Sequence, residues 1–372
     1  MTAAIKTNLK YTLTAIFLAV FTAFSVSAHA EETGKSGKFD AGKMIIEHIT
    51  DAHEWHVIGE GEHTVAIPLP VILYTDKGLE VFMSGNFNRE GFGHGEAPYT
   101  SKYNTYKLNE KSQVEVVDAA GKVDEAATAK VYDFSITKNV ASMFVSVALL
   151  LFVFLSVAGA YKRNPNSAPK GMQSLFEPII MFIRDDVAKS SIGYKYEKFM
   201  PYLLTVFFFI LFNNLLGIIP VFPGGANLTG NISVTMVLAL LTFVIILLNG
   251  NKNYWGHIIA MPGVPGWVLF ILTPIEILGV FIRPFVLMVR LFANMSAGHI
   301  IALSLFSLIF IFGEMNAGIG WGVSVMSVAF ALFMGLLELL VAFIQAYVFT
   351  LLSAIYFGAA VEDGHHSEES VM

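Results

Sequence analysis

The sequence predicts an all-α polytopic membrane protein that carries a small strand-rich domain near its N-terminus. Three observations carry that prediction. The chain of 372 residues is 55% hydrophobic and only 14% charged, with a mean hydropathy of +0.62. That composition excludes a soluble enzyme of ordinary type. Five long apolar stretches follow one another at 140–161, 200–221, 232–248, 266–312 and 321–357. Ahead of them, residues 31–138 are polar and hold 18 of the 29 acidic and 11 of the 23 basic side chains. The chain has no cysteine, so neither a disulfide framework nor a thiolate metal site is available. Nothing suggests a nucleic-acid surface, a cofactor or a metal.

Residues 1–30 have the parts of a secretory signal: Lys6 and Lys10, the apolar run YTLTAIFLAVFTAFSVS, then Ala28-His29-Ala30. Small residues at 28 and 30 suit a signal peptidase, the alternative being an uncleaved first span. In residues 31–138, GKMIIEHITDAHEWHVIG has apolar side chains at Met44, Ile45, Ile49 and Ala52, at helical spacing. The runs TVAIPLPVILYT, LEVFMSG, QVEVVDA and AKVYDFSIT read as strands, the first two joined through Asp76-Lys77-Gly78 as a hairpin. This region is expected outside the membrane.

The first three apolar stretches match the ~20 residues needed to cross ~30 Å of hydrocarbon. The fourth does not: as a helix at ~1.5 Å per residue it runs ~70 Å, more than twice the membrane's thickness. It must tilt, kink or fold back, with Pro274 and Pro284 as kink sites. The fifth is also overlong. The expectation is about five membrane-embedded helices over 139–361, the last two long and strongly tilted. Residues 162–199, an amphipathic segment, carry Lys162, Arg163, Lys170, Arg184, Lys189, Lys195 and Lys198, whereas PVFPGGANLTGN carries no charge. The positive-inside rule puts 162–199 in the cytoplasm, and five crossings leave the tail 362–372 there too.

Arg290 lies inside the fourth stretch, roughly twenty residues or more from either of its ends. A guanidinium stays protonated, and at the bilayer centre it costs at least ~3 kcal/mol, so it needs a partner, a cavity or water. Snorkelling to the head groups is the plainer alternative. On a helix, Glu276, Arg283, Arg290 and Ala297 recur every seven positions and drift ~20° each time, forming one stripe. Ala293, Asn294 and Ala297 flank Arg290, and small residues let another helix pass closely in a membrane. His299 lies nine residues on, on the opposite face. In the next helix Glu338 and Gln345 are seven apart on an otherwise apolar segment, and a membrane-embedded glutamate marks a functional site by default. A His299/Glu338 pair between two helices either passes protons or simply pins the helices together. Asn214, in LFNNLLGIIP, is a further polar group for the same pathway.

The stretch VRLFANMSAGH, with the arginine, Leu291, Asn294 and Gly298 so spaced, resembles the signature helix of subunit a of F-type ATP synthases. Glu276 fourteen residues before the arginine, Arg283-Pro284, the pair Glu338 and Gln345, and NNLLGIIPVFPGG extend the resemblance over roughly 138–360. The resemblance implies a proton-channel stator subunit, not catalytic by itself, in a bacterial inner membrane. Its partners would be the c-ring, the peripheral-stalk b subunits and, indirectly, the soluble ATPase sector. It implies that Arg290 is the essential arginine facing the ring carboxylates. His299, Glu338, Asn294, Gln345 and Asn214 would line the outer half-channel, and Glu276 with Arg283 the cytoplasmic one, with H⁺ carried and Na⁺ not excluded. Gly217 stands where some members carry an aspartate, and Val286 and Met288 replace the usual small residues before the arginine. The region 31–138 lies outside the common core.

The competing reading is a stand-alone secondary transporter or channel, although no inverted repeat is visible in the two halves. TGKS at 33–36 ends like a phosphate-binding loop, but the first glycine of that motif would fall on His29. His48, His53 and His56 do not gather on one helix turn, so they read as part of an amphipathic helix and not as a zinc site.

Overall fold

A computed structural model describes residues 41–58, 65–87, 97–109, 111–118, 120–163, 168–219, 224–259, 261 and 264–362. The predicted signal segment, the TGKS stretch and the last ten residues of the tail lie outside these.

The first region is a strand-rich domain. Helix α1 (Ala41–Ile49) is followed by strands β1 (Glu54–Ile58), β2 (Val65–Pro68), β3 (Pro70–Thr75) and β4 (Gly78–Met83). Then come β5 (Tyr99–Thr100), β6 (Thr105–Leu108), β7 (Val114–Val117), a short helix α2 (Glu125–Thr128) and β8 (Tyr132–Asp133). They form a β1–β2 pair and two three-stranded sheets, ordered β4-β3-β8 and β5-β6-β7, with all pairings antiparallel. The expected hairpin is present: Thr75 pairs with Gly78 across Asp76-Lys77, and Gly78 takes φ 130°, a conformation that favours glycine. Val71, Leu73, Phe82, Phe87, Tyr106, Val114 and Val116 make the core. In β3 and β4 apolar residues alternate inward and outward, the expected pattern for a sheet with one face buried.

The helical pattern of 42–59 stops at Ile49, and Glu54–Ile58 pairs with β2 as a strand. Asp51 explains the break, because its carboxylate serves a different helix. It accepts from the backbone N–H of Asn139 at 3.0 Å and from the Thr137 hydroxyl at 2.8 Å. Beyond it, Trp-His-Val-Ile is a strand-favouring run. His48, His53 and His56 therefore fall in a helix, a connection and a strand.

The membrane part begins with α3 (Lys138–Arg163) and continues through α4 (Met172–Phe182), whose ladder loosens into a π-helical stretch at Ile183–Lys189. Then follow α5 (Tyr196–Ile218), α6 (Ile232–Asn249), the short α7 (Lys252–Ile259), α8 (Gly266–Met315) and α9 (Ala317–Val361). Among the described residues, five helical segments are long and apolar enough to cross a membrane. α8 neither breaks nor folds back: its 50 residues run through Pro274 and Pro284 as one helix. At ~1.5 Å per residue it is ~75 Å long, and it packs along α9, which has 45 residues. A single residue, Asn316, turns the chain, and its side chain accepts from the N–H groups of Gly318 and Ile319 to cap α9. At the other end, Lys195 Nζ donates to the Val361 carbonyl at 3.0 Å, and Asn251 Nδ2 to that of Glu362 at 2.7 Å. Helix α5 is central, burying Leu203, Phe207, Phe208 and Ile210, with Phe199 stacked on Phe357 of α9 at 4.8 Å. Large apolar side chains on the outward faces of α3, α6, α8 and α9 stay exposed, as lipid-facing surfaces require.

Candidate functional site

Helix α8 packs on one face and is open on the other. Leu287, Met288, Leu291 and Met295 are buried against the bundle. Arg290, Ala293, Asn294 and Ala297 are exposed, together with Val286 and Val289. Among the described residues no ion pair or hydrogen bond engages Arg290. The guanidinium therefore stands uncovered among small side chains, on a helix otherwise fit to lie in lipid.

Arg283 and Glu276, one and two heptads earlier in the stripe, are half-buried instead. Arg283 lies over the ring of Tyr356 in α9, 5.6 Å from its centroid. Tyr254 of α7 belongs to the same neighbourhood. Burial pushes its hydroxyl up, while the charges of Arg283 and Glu276 act on it in opposite senses. The structure thus gathers Glu276, Arg283, Tyr254 and Tyr356 near the C-terminal end of α9 and leaves Arg290 apart from them.

His299 and Glu338 come together as neighbours but not as an ion pair. A Cβ added to Gly298 would meet Glu338 Oε1 at 2.6 Å, so the carboxylate rests on the residue next to His299. One added to Gly217 of α5 would lie 3.7 Å from His299 Nε2 and 3.3 Å from the Ala226 carbonyl. Both glycines make room for these polar groups. His299 Nε2 and Glu338 Oε1 are buried without a hydrogen-bond partner. Such atoms cost about 1–3 kcal/mol each and in native proteins usually signal hydration or function.

Other expected members of this group sit deeper. Gln345 is 5% exposed and Asn214 0%. Asn214 is fully occupied, accepting from Thr229 Oγ1 at 2.6 Å and donating to the Ala342 carbonyl at 3.2 Å, so it ties α5 to α9 and to the 224–231 loop. Its neighbour Asn213 carries the unpartnered Oδ1. Asn294 lies on the open face with Arg290, one helical turn before Gly298.

Sequence reading missed the polar face of α3. Lys138, Asn139, Ser142 and Ser146 are all buried, and Asn139 Oδ1 has no partner. Their i, i+1, i+4, i+8 spacing was a usable signal, hidden because the helix as a whole averages out as apolar. Lys138 Nζ donates to the His48 and Thr50 carbonyls, both at 3.3 Å, capping the C-terminal end of α1.

A bundle of helices long and apolar enough to cross a membrane, with half-buried His299 and Glu338 and an exposed Arg290, defines a multi-pass membrane protein. Comparison with known proteins names the family. The ATP synthase A chain family model matches residues 140–358, and the chain belongs to that family. ATP synthase subunit a of Chloroherpeton thalassium is 46% identical over 245 residues, covering 64% of this chain and 70% of its own. ATP synthase subunit a 2 of Chlorobaculum tepidum is 50% identical over 249 residues, covering 64% and 68%. The protein named ATP synthase subunit a in Myxococcus xanthus is 44% identical over 245 residues, covering 64% and 76%. Residues 44–134 match a separate family described only as a domain of unknown function.

Proposed function

We propose that this chain is the proton-translocating stator subunit of an F-type ATP synthase, with Arg290 facing the mid-membrane carboxylates of a rotating c-ring. It sits in a bacterial inner membrane, residues 31–138 on the periplasmic side and the C-terminus in the cytoplasm. The observation that carries the reading is the uncovered guanidinium. It lies in a membrane helix, flanked by Ala293 and Ala297 and lacking a partner within its own described chain. A permanent charge so placed needs an acid from another polypeptide.

The His299/Glu338 cluster forms the outer half-channel, with Asn294, Gln345 and Asn214, and Glu276 with Arg283 the cytoplasmic one. An ion entering from outside neutralises a ring carboxylate, which can then turn into lipid, where the bare anion would cost far too much. After nearly a full turn the site meets the cytoplasmic path and releases its proton. Arg290 stabilises the resulting anion and blocks direct passage between the two paths. Each charge moved through 100 mV supplies ~2.3 kcal/mol. The ion is H⁺ or Na⁺ according to the ring's own site. The chain catalyses nothing by itself; it works with the ring, the peripheral-stalk b subunits and, through them, the soluble ATPase sector.

The test is ATP-driven proton pumping by the assembled complex. Arg290→Ala abolishes it, and so does Arg290→Lys, because an ammonium is a hydrated point charge that titrates when buried. Retained pumping in Arg290→Ala contradicts the reading.

A further inference from the structure

The strand-rich domain is not a loose appendage. Lys138 caps α1, while Asp51, just beyond α1, caps α3, so each side of the junction supplies the charge that closes the other's helix end. Trp55, 3% exposed, donates its indole N–H to the Gly224 carbonyl at 3.2 Å, in the loop between α5 and α6. Helix α1 packs on α8, the helix of His299 and Arg290. The domain therefore stands over one end of the bundle, fixed to α3, to the α5–α6 loop and to α8.

At that junction lies a surface cleft lined by Thr50, Asp51, His53, Lys111, Asp133 and Thr137. His53 is 5% exposed. Its Nε2 is 3.1 Å from Asp133 Oδ2, and its Nδ1 is buried without a partner. Thr50 and Asp51 line the cleft and also touch the first residues of α3, through Lys138 Nζ and the Asn139 N–H. From there the buried face of α3 continues through Asn139, Ser142 and Ser146. Helix α3 packs against α5, whose Asn213 Oδ1 is unpartnered and whose Gly217 adjoins His299.

Buried polar atoms without protein partners occur in the domain at His53 Nδ1, at the head of α3 at Asn139 Oδ1, in α5 at Asn213 Oδ1, and at His299 Nε2 and Glu338 Oε1. Buried polar atoms of this kind are normally hydrated, and a file of them is a route for water and protons. We propose that the strand-rich domain forms the mouth of the outer half-channel, and that access to His299 runs from the His53–Asp133 cleft along the buried polar face of α3. This rests on the stator reading above. It gives residues 44–134 a task in ion uptake and adds Asn139, Ser142 and Ser146 to the path.

The chain has no native cysteine, which makes the test direct. Cells carrying the assembled complex with Ser142→Cys, Asp133→Cys or Phe152→Cys are treated from outside with a charged, membrane-impermeant methanethiosulfonate. The labelled band is identified, and ATP-driven pumping is then measured in inverted vesicles. Phe152 is the lipid-facing control at 66% exposure. Ser142→Cys should be labelled and lose pumping on labelling, Asp133→Cys should be labelled and slowed, and Phe152→Cys should stay unlabelled. An unlabelled Ser142→Cys in an assembled, pumping complex overturns the path, and labelling at Asp133→Cys with no loss of pumping overturns the domain's role. Failure of the stator reading looks different: pumping would then survive Arg290→Ala, whatever the labelling pattern.

Discussion

Gly298→Ala is a small change with a large expected effect. A Cβ at that position lies 2.6 Å from Glu338 Oε1, 3.2 Å from its Cγ and 3.3 Å from its Cδ. Favourable contact begins near ~3.5 Å, so the carboxylate must retreat by about 0.9 Å. Overpacking of this kind costs about 1–3 kcal/mol, while alanine returns ~1 kcal/mol over glycine in a helix. Net stability then changes little, and the complex should still assemble. Function should suffer more, because proton transfer needs its groups within hydrogen-bond reach, and a misplacement of ~1 Å can cost about a hundredfold. Pumping in inverted vesicles, normalised to the amount of assembled complex, should fall by one to two orders of magnitude. Gly217→Ala is the milder companion, its Cβ meeting the Ala226 carbonyl at 3.3 Å and His299 Nε2 at 3.7 Å. Wild-type pumping by an assembled Gly298→Ala complex would refute the assignment of Glu338 to the conduction path.

Three further outcomes concern the junction. Asp51→Ala removes the acceptor for the Asn139 N–H and the Thr137 hydroxyl and should cost ~1–2 kcal/mol, read as a lower melting temperature of the purified complex. Trp55→Phe keeps an aromatic ring but loses the bond to Gly224 and part of the buried bulk, which should cost at least ~1 kcal/mol and speed proteolysis of the 224–231 loop. Burial pushes the Asp133 carboxyl up, but hydrogen bonds from His53 and Ser135 outweigh it and leave the group below its ordinary value. Its stabilisation is therefore present above the ordinary carboxylate pKa and lost as pH falls through the lowered one. With its side chain one-third exposed, Asp133→Asn should cost no more than ~1 kcal/mol at pH 7, and the gap from wild type should close in acid.

Much of this architecture was legible in the sequence. Crossing a membrane needs ~20 apolar residues with every backbone group satisfied within the helix, so the spans announce themselves by composition. The Asp76-Lys77 turn was legible because Gly78 supplies the backbone freedom it needs. The end of α1 was not, because what stops it is a bond from Asp51 to a residue 88 positions away. The persistence of α8 through Pro274 and Pro284 was also hidden, since apolar length alone leaves tilt, kink and return equally open. At the site, residue type singled out Arg290, His299 and Glu338. Their relations came only with packing: Glu338 rests on Gly298, His299 adjoins Gly217, and Arg283 turns to Tyr356. The polar face of α3 escaped notice because Lys138, Asn139, Ser142 and Ser146 are diluted by a helix whose other positions are almost all apolar.

On the stator reading, a fixed cation inside the lipid layer meets a mobile acid on a rotor. The most direct measurement is the position of the Arg290 side chain in a density map of the assembled complex. The account predicts that it points across a narrow gap at a ring of mid-membrane carboxylates, with Ala293 and Ala297 on the same approach. A guanidinium turned toward lipid head groups, or answered by an acid of its own chain, would contradict it.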